Sequence, residues 1–79
     1  MSKYSPDRVL DASGLNCPMP LLKTKLEINQ LKNGQVIQVV ATDSGSKRDI
    51  PAFLNQVAHE LLALEEVEGQ YVFYIRVNH

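Results

Sequence analysis

The residue best suited to chemistry in this chain is its only cysteine, Cys17. It is followed by Pro18, Met19 and Pro20. Proline is favoured in the first turn of a helix, because its fixed φ is already helical and its missing N–H would have no intrahelical partner there. Cys17 is therefore a candidate N-cap. A helix N-terminus carries partial positive charge and unpaired N–H donors, which stabilise sulfur as thiolate, the nucleophilic form.

The two prolines also limit how strongly a helix start can activate this thiol. Neither Pro18 nor Pro20 has an amide, so only the N–H groups of Cys17 and Met19 remain available to the sulfur. The same prolines stiffen the turn that presents it. We therefore predict a rigidly presented, moderately activated thiol whose pKa is not strongly lowered.

Two interpretations of Cys17 are open at this point. Free cysteines are among the most buried residues, so Cys17 could be a small apolar core residue beside a helix that the prolines simply begin. Against this, Gly14, Leu15 and Asn16 form a loop directly before it, and loops run on the surface. A thiol with a function is the competing interpretation.

The small number of cysteines and histidines in the chain excludes several reactions for an exposed thiol. Without a second cysteine to resolve a disulfide, a self-contained dithiol oxidoreductase is excluded. The two histidines, His59 on an exposed helix face and His79 at the C-terminus, give poor support for a Cys–His hydrolase, and we assign neither a role. Cys and His are too few for a Cys-rich zinc site, so we expect no metal. A lone thiol can still carry a group between proteins, for example sulfur as a persulfide.

Length and composition set the class of the molecule. Seventy-nine residues, 44% of them hydrophobic and 22% charged, predict one globular domain over 1–79, with residues 1–7 polar and flexible. The net charge of −1 argues against a protein held on nucleic acid mainly by phosphate neutralisation. No apolar run resembles a signal peptide or a membrane span, so we expect a cytoplasmic protein that binds neither DNA nor membranes.

Apolar periodicity and turn signals divide the chain into six elements. They are strands 8–11 and 35–41, helices 18–32 and 46–62, and the strands 63–68 and 71–77 of a closing hairpin. Ser46 is expected to cap the second helix, with Asp49 completing an approximate capping box. The order βαβαββ predicts an α/β (α+β) fold, a two-layer sandwich in which both helices cover one face of a four-stranded mixed sheet.

The first helix carries two apolar arcs. The arc expected to face the core consists of Leu21, Thr24, Ile28 and Leu31. Leu22 and Leu26 lie on a second arc beside Lys25 and Asn29, near the Cys17 end. Either Leu22 is partly covered by a loop and Leu26 is an ordinary exposed apolar residue, or the second arc is a docking surface, and the pattern favours neither.

The segment LDASGLNCPMP at 10–20 and the segment RDIPAF at 48–53 carry a specific family signal. Together they closely resemble the TusA/SirA family of small bacterial sulfur-carrier proteins, and the resemblance extends over about 9–77. It implies the same βαβαββ sandwich. It also implies that Cys17 accepts persulfide sulfur from a cysteine desulfurase and passes it to an acceptor protein, so that the chain is a sulfurtransferase or carrier rather than a turnover enzyme. No cofactor is expected, and the transferred sulfur would be held covalently as a persulfide on Cys17.

The same resemblance implies roles for the residues around the cysteine. Presentation of the sulfur would fall to Gly14, Pro18, Met19 and Pro20. The desulfurase would face the first helix around Lys25 and Asn29 and the loop residue Asp43, and the full predicted docking set is Leu22, Lys25, Leu26, Asn29, Asp43 and Arg48. In the best-known pathway of the family the sulfur reaches the wobble uridine of certain tRNAs, and other members serve sulfur oxidation or molybdenum-cofactor supply. Members in tRNA thiolation usually have basic residues on this face, whereas Asn29 is neutral.

Two other functions compete with a monomeric sulfur carrier. One is a regulatory module without chemistry that binds RNA through the open sheet face, where Tyr74 and Arg76 are expected. The other is a thiol redox sensor, which would form a mixed disulfide where a carrier holds a sulfane sulfur.

Overall fold

The computed structural model describes residues 4–79, and it contains six elements in the predicted order. They are β1 (Arg8–Ala12), α1 (Met19–Gln30), β2 (Val36–Ala41), α2 (Ser46–Leu54), β3 (Glu60–Val67) and β4 (Gln70–Arg76). The predicted βαβαββ sandwich is therefore confirmed.

The four strands form one mixed sheet in the order β1-β2-β4-β3. β1 and β2 are parallel, with Leu10 opposite Val39, as expected when a helix connects two neighbouring strands. β4 is antiparallel to both of its neighbours, β2 and β3. β2 is one of the two inner strands of the sheet, and its run of β-branched residues, apolar on both faces, predicts that position.

Both helices pack on the same face of this sheet around one core. The core joins α1, α2, β2 and β4, and its buried members are Ile28, Leu31, Ile37, Val39, Ala41, Ile50, Leu54, Phe73, Ile75 and Val77. The predicted core arc of α1 is confirmed, because Thr24 and Ile28 are fully buried, Leu31 nearly so, and Leu21 packs against the cluster. The site described below lies where the N-terminal ends of the two helices meet.

The second helix is shorter than the predicted 46–62. It ends at Leu54, and the amide of Asn55 closes it by donating to the Pro51 carbonyl. Leu61, which the predicted helix 46–62 includes, instead lies in β3 and pairs with Ile75 of β4. Apolar spacing alone could not distinguish a helix from a strand at Leu61, because the pairing of β3 with β4 overrides the local helical pattern.

The predicted capping of α2 by Ser46 is also wrong. Ser46 is the first helical residue, Gly45 is the N-cap, and no side chain forms a cap hydrogen bond. The Ser46 hydroxyl is buried and has no hydrogen-bond partner among the described residues. Asp49 does lie in the first turn of the helix, where its negative charge suits the helix dipole.

His59 does not lie on an exposed helix face. It stands just before β3, where its Nδ1 accepts a hydrogen bond from the Asn78 amide at 3.0 Å and its ring meets the edge of the His79 ring. Burial and the neighbouring His79 lower the pKa of His59. The two histidines therefore help to hold the C-terminal residues against the body of the domain.

The sheet face away from the helices is less open than predicted. Tyr74 is only 4% exposed, and the Tyr4 ring packs against it with centroids 5.5 Å apart. Arg76 forms an ion pair with Glu60. The flexibility predicted for residues 1–7 stays a prediction: residues 1–3 lie outside the described part, and Asp7 exchanges two hydrogen bonds with Val36.

Candidate functional site

Cys17 is exposed and lies two positions before Met19, the first residue of α1. The prediction that it is the N-cap is wrong, because Pro18 occupies that position and α1 begins at Met19. The interpretation of Cys17 as a buried core residue is also wrong. The loop before it does bring the sulfur to the surface, as a loop with few apolar residues is expected to do.

The two amides predicted to reach the sulfur are used elsewhere. The Cys17 N–H donates to Asp43 Oδ2 at 3.1 Å, and the Met19 N–H donates to the Asn16 carbonyl at 2.9 Å. The N-terminal amides of α2 are occupied in the same way, since those of residues 46–49 donate to the carbonyls of Asp43, Ser44 and Gly45. These amides therefore do not stabilise a thiolate at Cys17.

The sulfur instead donates a hydrogen bond to a carboxylate. Cys17 Sγ lies 2.8 Å from Asp49 Oδ2. This hydrogen bond is the main reason that the pKa of the Cys17 thiol is raised, and the charges of Asp49 and Asp43 act in the same direction. The same bond lowers the pKa of Asp49, because it stabilises the ionised carboxylate. The predicted moderate activation of the thiol is thus overturned: its nearest charged neighbour favours the protonated form.

One cation opposes this effect. Arg48 Nε lies 3.4 Å from Asp49 Oδ1, and the Arg48 side chain is 82% exposed. Its charge lowers the pKa of Cys17, but less than the two aspartates raise it. An exposed ion pair of this length is weak, so the guanidinium is free to exchange partners.

A glycine allows the two helix starts to approach each other. A Cβ on Gly45 would stand 2.9 Å from Asp43 Oδ2, 3.3 Å from Cys17 Cβ and 3.7 Å from Cys17 Sγ. The backbone of Gly45 is in the ordinary right-handed region, so glycine is needed here for space. Sequence reasoning missed both Gly45 and the contact of Asp49 with the sulfur. The glycine directly before a helix start was the available signal.

The residues predicted to present the sulfur flank Cys17 in the chain, and this role stays a prediction. Pro20 is buried beneath the first turn, whereas Pro18 and Met19 are exposed. Gly14 adopts φ +79°, which favours glycine, and its amide donates to Thr42 Oγ1 at 2.8 Å. The loop before Cys17 is therefore tied to the loop after β2 at two points, by Gly14 and by Cys17 itself.

The predicted docking residues fall into two groups. Asp43 and Arg48 stand next to Cys17, while Leu22, Lys25, Leu26 and Asn29 form an exposed face of α1. Leu22 is 43% and Leu26 63% exposed, so neither is covered by a loop. Lys25 lies over the Phe53 ring of α2 at 5.0 Å, which links the face of α1 to the helix that carries Asp49. Whether this face binds a partner stays a prediction.

The structure offers little support for the competing RNA-binding module. Tyr74 is buried beside the Tyr4 ring and Arg76 is paired with Glu60, so Tyr74, the ring predicted to contact RNA, does not offer an open face for base stacking. The described residues, 4–79, contain no pocket and no group of three or more potential metal ligands. Within the same range no helix is long and apolar enough to span a membrane. Cys17 is left as the reactive group that the site exposes.

Comparison with known proteins places this site in a family. The family model described as "Sulfurtransferase TusA" matches residues 8–77. Sulfur carrier protein TusA of Pseudomonas putida (strain W619) is 43% identical over 76 residues, which cover 96% of this chain and 95% of the relative. Its counterpart from Allochromatium vinosum is 47% identical over 70 residues, covering 89% and 92%.

A solved structure supports the fold independently. The crystal structure of a SirA-like protein from Desulfitobacterium hafniense superposes with a TM-score of 0.78, covering 91% of this chain and 99% of that one, at 22% identity. At this identity the likeness concerns the fold alone. The family match over residues 8–77, together with relatives above 40% identity along nearly the whole chain, shows that this chain belongs to the TusA family of sulfur carriers.

Proposed function

We propose that this protein carries sulfur as a persulfide on Cys17, accepting it from a cysteine desulfurase and passing it to an acceptor protein. The observation that carries the proposal is the exposed sulfur of Cys17, which is the only thiol of the chain and is held in place by a hydrogen bond from its own backbone to Asp43. A carrier must offer its sulfur to two different partners in turn. An open surface suits this role better than an enclosed pocket would.

The transfer needs one reactive sulfur and no redox co-reactant. The Cys17 thiolate attacks the terminal sulfur of the persulfide on the donor's cysteine, and the S–S bond of the donor breaks. The bonding electron pair leaves with the donor's cysteine sulfur, which takes up the proton lost by Cys17. The sulfane sulfur moves without net oxidation or reduction, and the acceptor protein repeats the same exchange on the Cys17 persulfide.

The exposed face of α1 is the proposed docking surface for the desulfurase. Leu22 and Leu26 supply apolar area, and Lys25 and Asn29 supply polar contacts beside it. Asp43 and Arg48 would complete the contact near the sulfur. Because an exchangeable thiol must stay reduced, the proposal includes a cytoplasmic location. It also includes a monomeric carrier whose sulfur ends in 2-thiolation of a tRNA wobble uridine or in a related relay.

A thiol redox sensor is less well supported by the site. Sensor cysteines react as thiolates, and their susceptibility to oxidation follows thiolate character. Asp49 raises the pKa of Cys17 and so favours the less reactive thiol. The contact that weakens the sensor hypothesis leaves the carrier hypothesis intact, because a partner protein can change the surroundings of the sulfur on docking.

The proposal is tested by sulfur loading. The protein is incubated with a cysteine desulfurase, its pyridoxal phosphate and cysteine, and its intact mass is measured before and after reduction. We expect a gain of about 32 Da, one sulfur, that disappears on reduction and is absent from Cys17→Ser. A wild-type protein that gains no sulfur, or a gain that persists in Cys17→Ser, would contradict the proposal.

The docking surface has its own test. Leu26→Ser should slow loading by the desulfurase while leaving loading by a small-molecule persulfide unchanged. Val9→Ser is the matched control, because Val9 is 59% exposed, close to the 63% of Leu26, and alternates on β1 with Leu10, whose side chain packs on the core beneath the helices. Both changes should alter the free energy of unfolding by less than about 0.5 kcal/mol. Equal loading rates for the two variants would show that Leu26 does not contact the donor.

A further inference from the structure

The sulfur of Cys17 stands in a negatively charged setting. Asp49 accepts the hydrogen bond from its S–H, and Asp43 accepts one from its backbone N–H. Arg48 is the cation that acts on the thiol, and its side chain is largely in solvent. The first turn of α1, which follows Cys17 in the chain, adds no charge, because the first charged residue of this helix is Lys23. Ionisation of Cys17 would therefore place a thiolate against a carboxylate at hydrogen-bonding distance.

This arrangement is unusual for a nucleophile. Reactive cysteines ordinarily sit in electropositive surroundings, next to a helix N-terminus or a cation. Cys17 does lie beside two helix starts, yet the amides of Cys17, Met19 and residues 46–49 all donate to other acceptors. The attack on a persulfide thus needs a thiolate that the free protein opposes.

We propose that Asp49 gates the sulfur: its hydrogen bond holds Cys17 as S–H in the free carrier, and a cationic side chain of the sulfur-donating partner releases it by pairing with Asp49. The inference rests on the proposed function, because it concerns the same sulfur and the same donor. The donor would then need a guanidinium or ammonium group placed next to its own persulfide.

The geometry leaves room for such a cation. Only Oδ2 of Asp49 is held by the sulfur, while Oδ1 has the long contact with Arg48 at 3.4 Å. The Asp49 side chain is 23% exposed, so one edge of the carboxylate can be reached from outside. An incoming cation that pairs with this edge withdraws negative charge from the acceptor, which weakens the S–H···O bond and lowers the cost of the thiolate.

With the gate, the bonds that form and break in the sulfur transfer are the same as without it. Cys17 loses its proton as the partner's cation neutralises Asp49, and the thiolate attacks the terminal sulfur of the donor persulfide. The donor's S–S bond breaks, and its cysteine sulfur leaves with the electron pair and takes up the proton. The benefit is selectivity, because away from the partner the protonated thiol is a poor target for oxidants and electrophiles.

The first test measures the thiol directly. The rate of alkylation of Cys17 by iodoacetamide is recorded against pH for the wild type, Asp49→Asn and Arg48→Gln. Asp49→Asn should shift the midpoint of the profile to lower pH and speed alkylation at neutral pH, whereas Arg48→Gln should shift it to higher pH. The two residues are neighbours on α2, so a purely structural effect would not move the profile in opposite directions. An unchanged or higher midpoint in Asp49→Asn would overturn the gate.

The second test asks whether the protein donor itself relieves the effect of Asp49 on the thiol. Sulfur acceptance is measured from a small-molecule cysteine persulfide and from the persulfidated desulfurase. Asp49→Asn should accelerate the first reaction by a larger factor than the second, because the protein donor already relieves the gate. Equal acceleration would refute the part played by the partner's cation. Slower acceptance from both donors would identify Asp49 as a proton acceptor and overturn the gate.

The two proposals can fail separately. If the wild type gains no sulfur from the desulfurase, the carrier function fails whatever the alkylation profiles show. If the wild type is loaded but the profiles of the two variants do not move apart, the carrier function stands and the gate fails. Far-UV circular dichroism of each variant ensures that the comparison is made between folded proteins.

Discussion

Truncation of Ile50 tests how α2 is held over the sheet, and thus how Asp49 is kept at the sulfur. Ile50 is fully buried and lies next to Asp49 in the chain. Ile50→Ala removes three carbons, which corresponds to about 2.4 kcal/mol of transfer free energy at about 0.8 kcal/mol per carbon. The cavity left behind adds to this, so we expect a loss of about 3 kcal/mol, within the usual range of about 2–5 kcal/mol for such changes.

Val57→Ala is the informative comparison. A helix running to residue 62 would place Val57 on the same buried stripe as Ile50, and its truncation would then cost about 1.6 kcal/mol, two carbons, from transfer alone. In the structure α2 ends at Leu54 and Val57 is 39% exposed, so we expect a loss below about 1 kcal/mol. Val57 therefore distinguishes the short helix from the long one.

Urea unfolding followed by far-UV circular dichroism gives both free energies, provided that the m-values of the variants agree. A small domain has a total stability of only about 5–15 kcal/mol, so Ile50→Ala could leave too little folded protein. Ile50→Val, with an expected loss of about 0.5–1.5 kcal/mol, then serves in its place. Equal losses at Ile50 and Val57 on a per-carbon basis would refute the short α2 and the packing inferred from it.

Two further predictions concern the loop beside the sulfur and the C-terminus. Gly45→Ala would push its Cβ against Asp43 Oδ2, at 2.9 Å, and so weaken the hydrogen bond that the Cys17 amide donates to Asp43. Loss of that hydrogen bond costs about 1 kcal/mol, and the lower entropy of the unfolded chain with alanine offsets this by about 0.4–1 kcal/mol. The free energy of unfolding should therefore change little, whereas hydrogen exchange of the Cys17 amide, measured by NMR, should become faster. Unchanged exchange would contradict this, with Ser44→Ala as the neighbouring control. The pKa of His59 is lowered from 6.5 by burial, so the unfolded state binds the proton more readily and stability should fall as the pH drops through this value. Urea unfolding at a pH above and a pH below 6.5 should show a smaller fall for His59→Gln than for the wild type, and an equal fall would reject His59 as the cause.

Much of the fold followed from local patterns that tertiary packing reinforced. The core arc of α1 was predictable because a stripe with a period of 3.6 residues has one favourable burial, against the sheet. The central position of β2 followed from its β-branched residues, and the closing hairpin from Gly69, which has φ +80° in the turn. The end of α2 was not predictable in this way, since Leu61 fits either a helical stripe or a strand and only the pairing with β4 decides between them.

The candidate site was likewise predictable in part. From the order of residues alone it follows that one cysteine stands in a loop at a helix start, next to prolines that remove two amides, and the motif around it indicates the family. The electrostatic surroundings of the sulfur, by contrast, depend on tertiary packing. Asp49 lies 32 positions from Cys17 in the chain, and it reaches the sulfur because α2 packs beside α1 across a glycine that leaves room for the approach. Charges act through space over a few ångströms, so the ionisation of a thiol depends on neighbours that its own segment cannot specify.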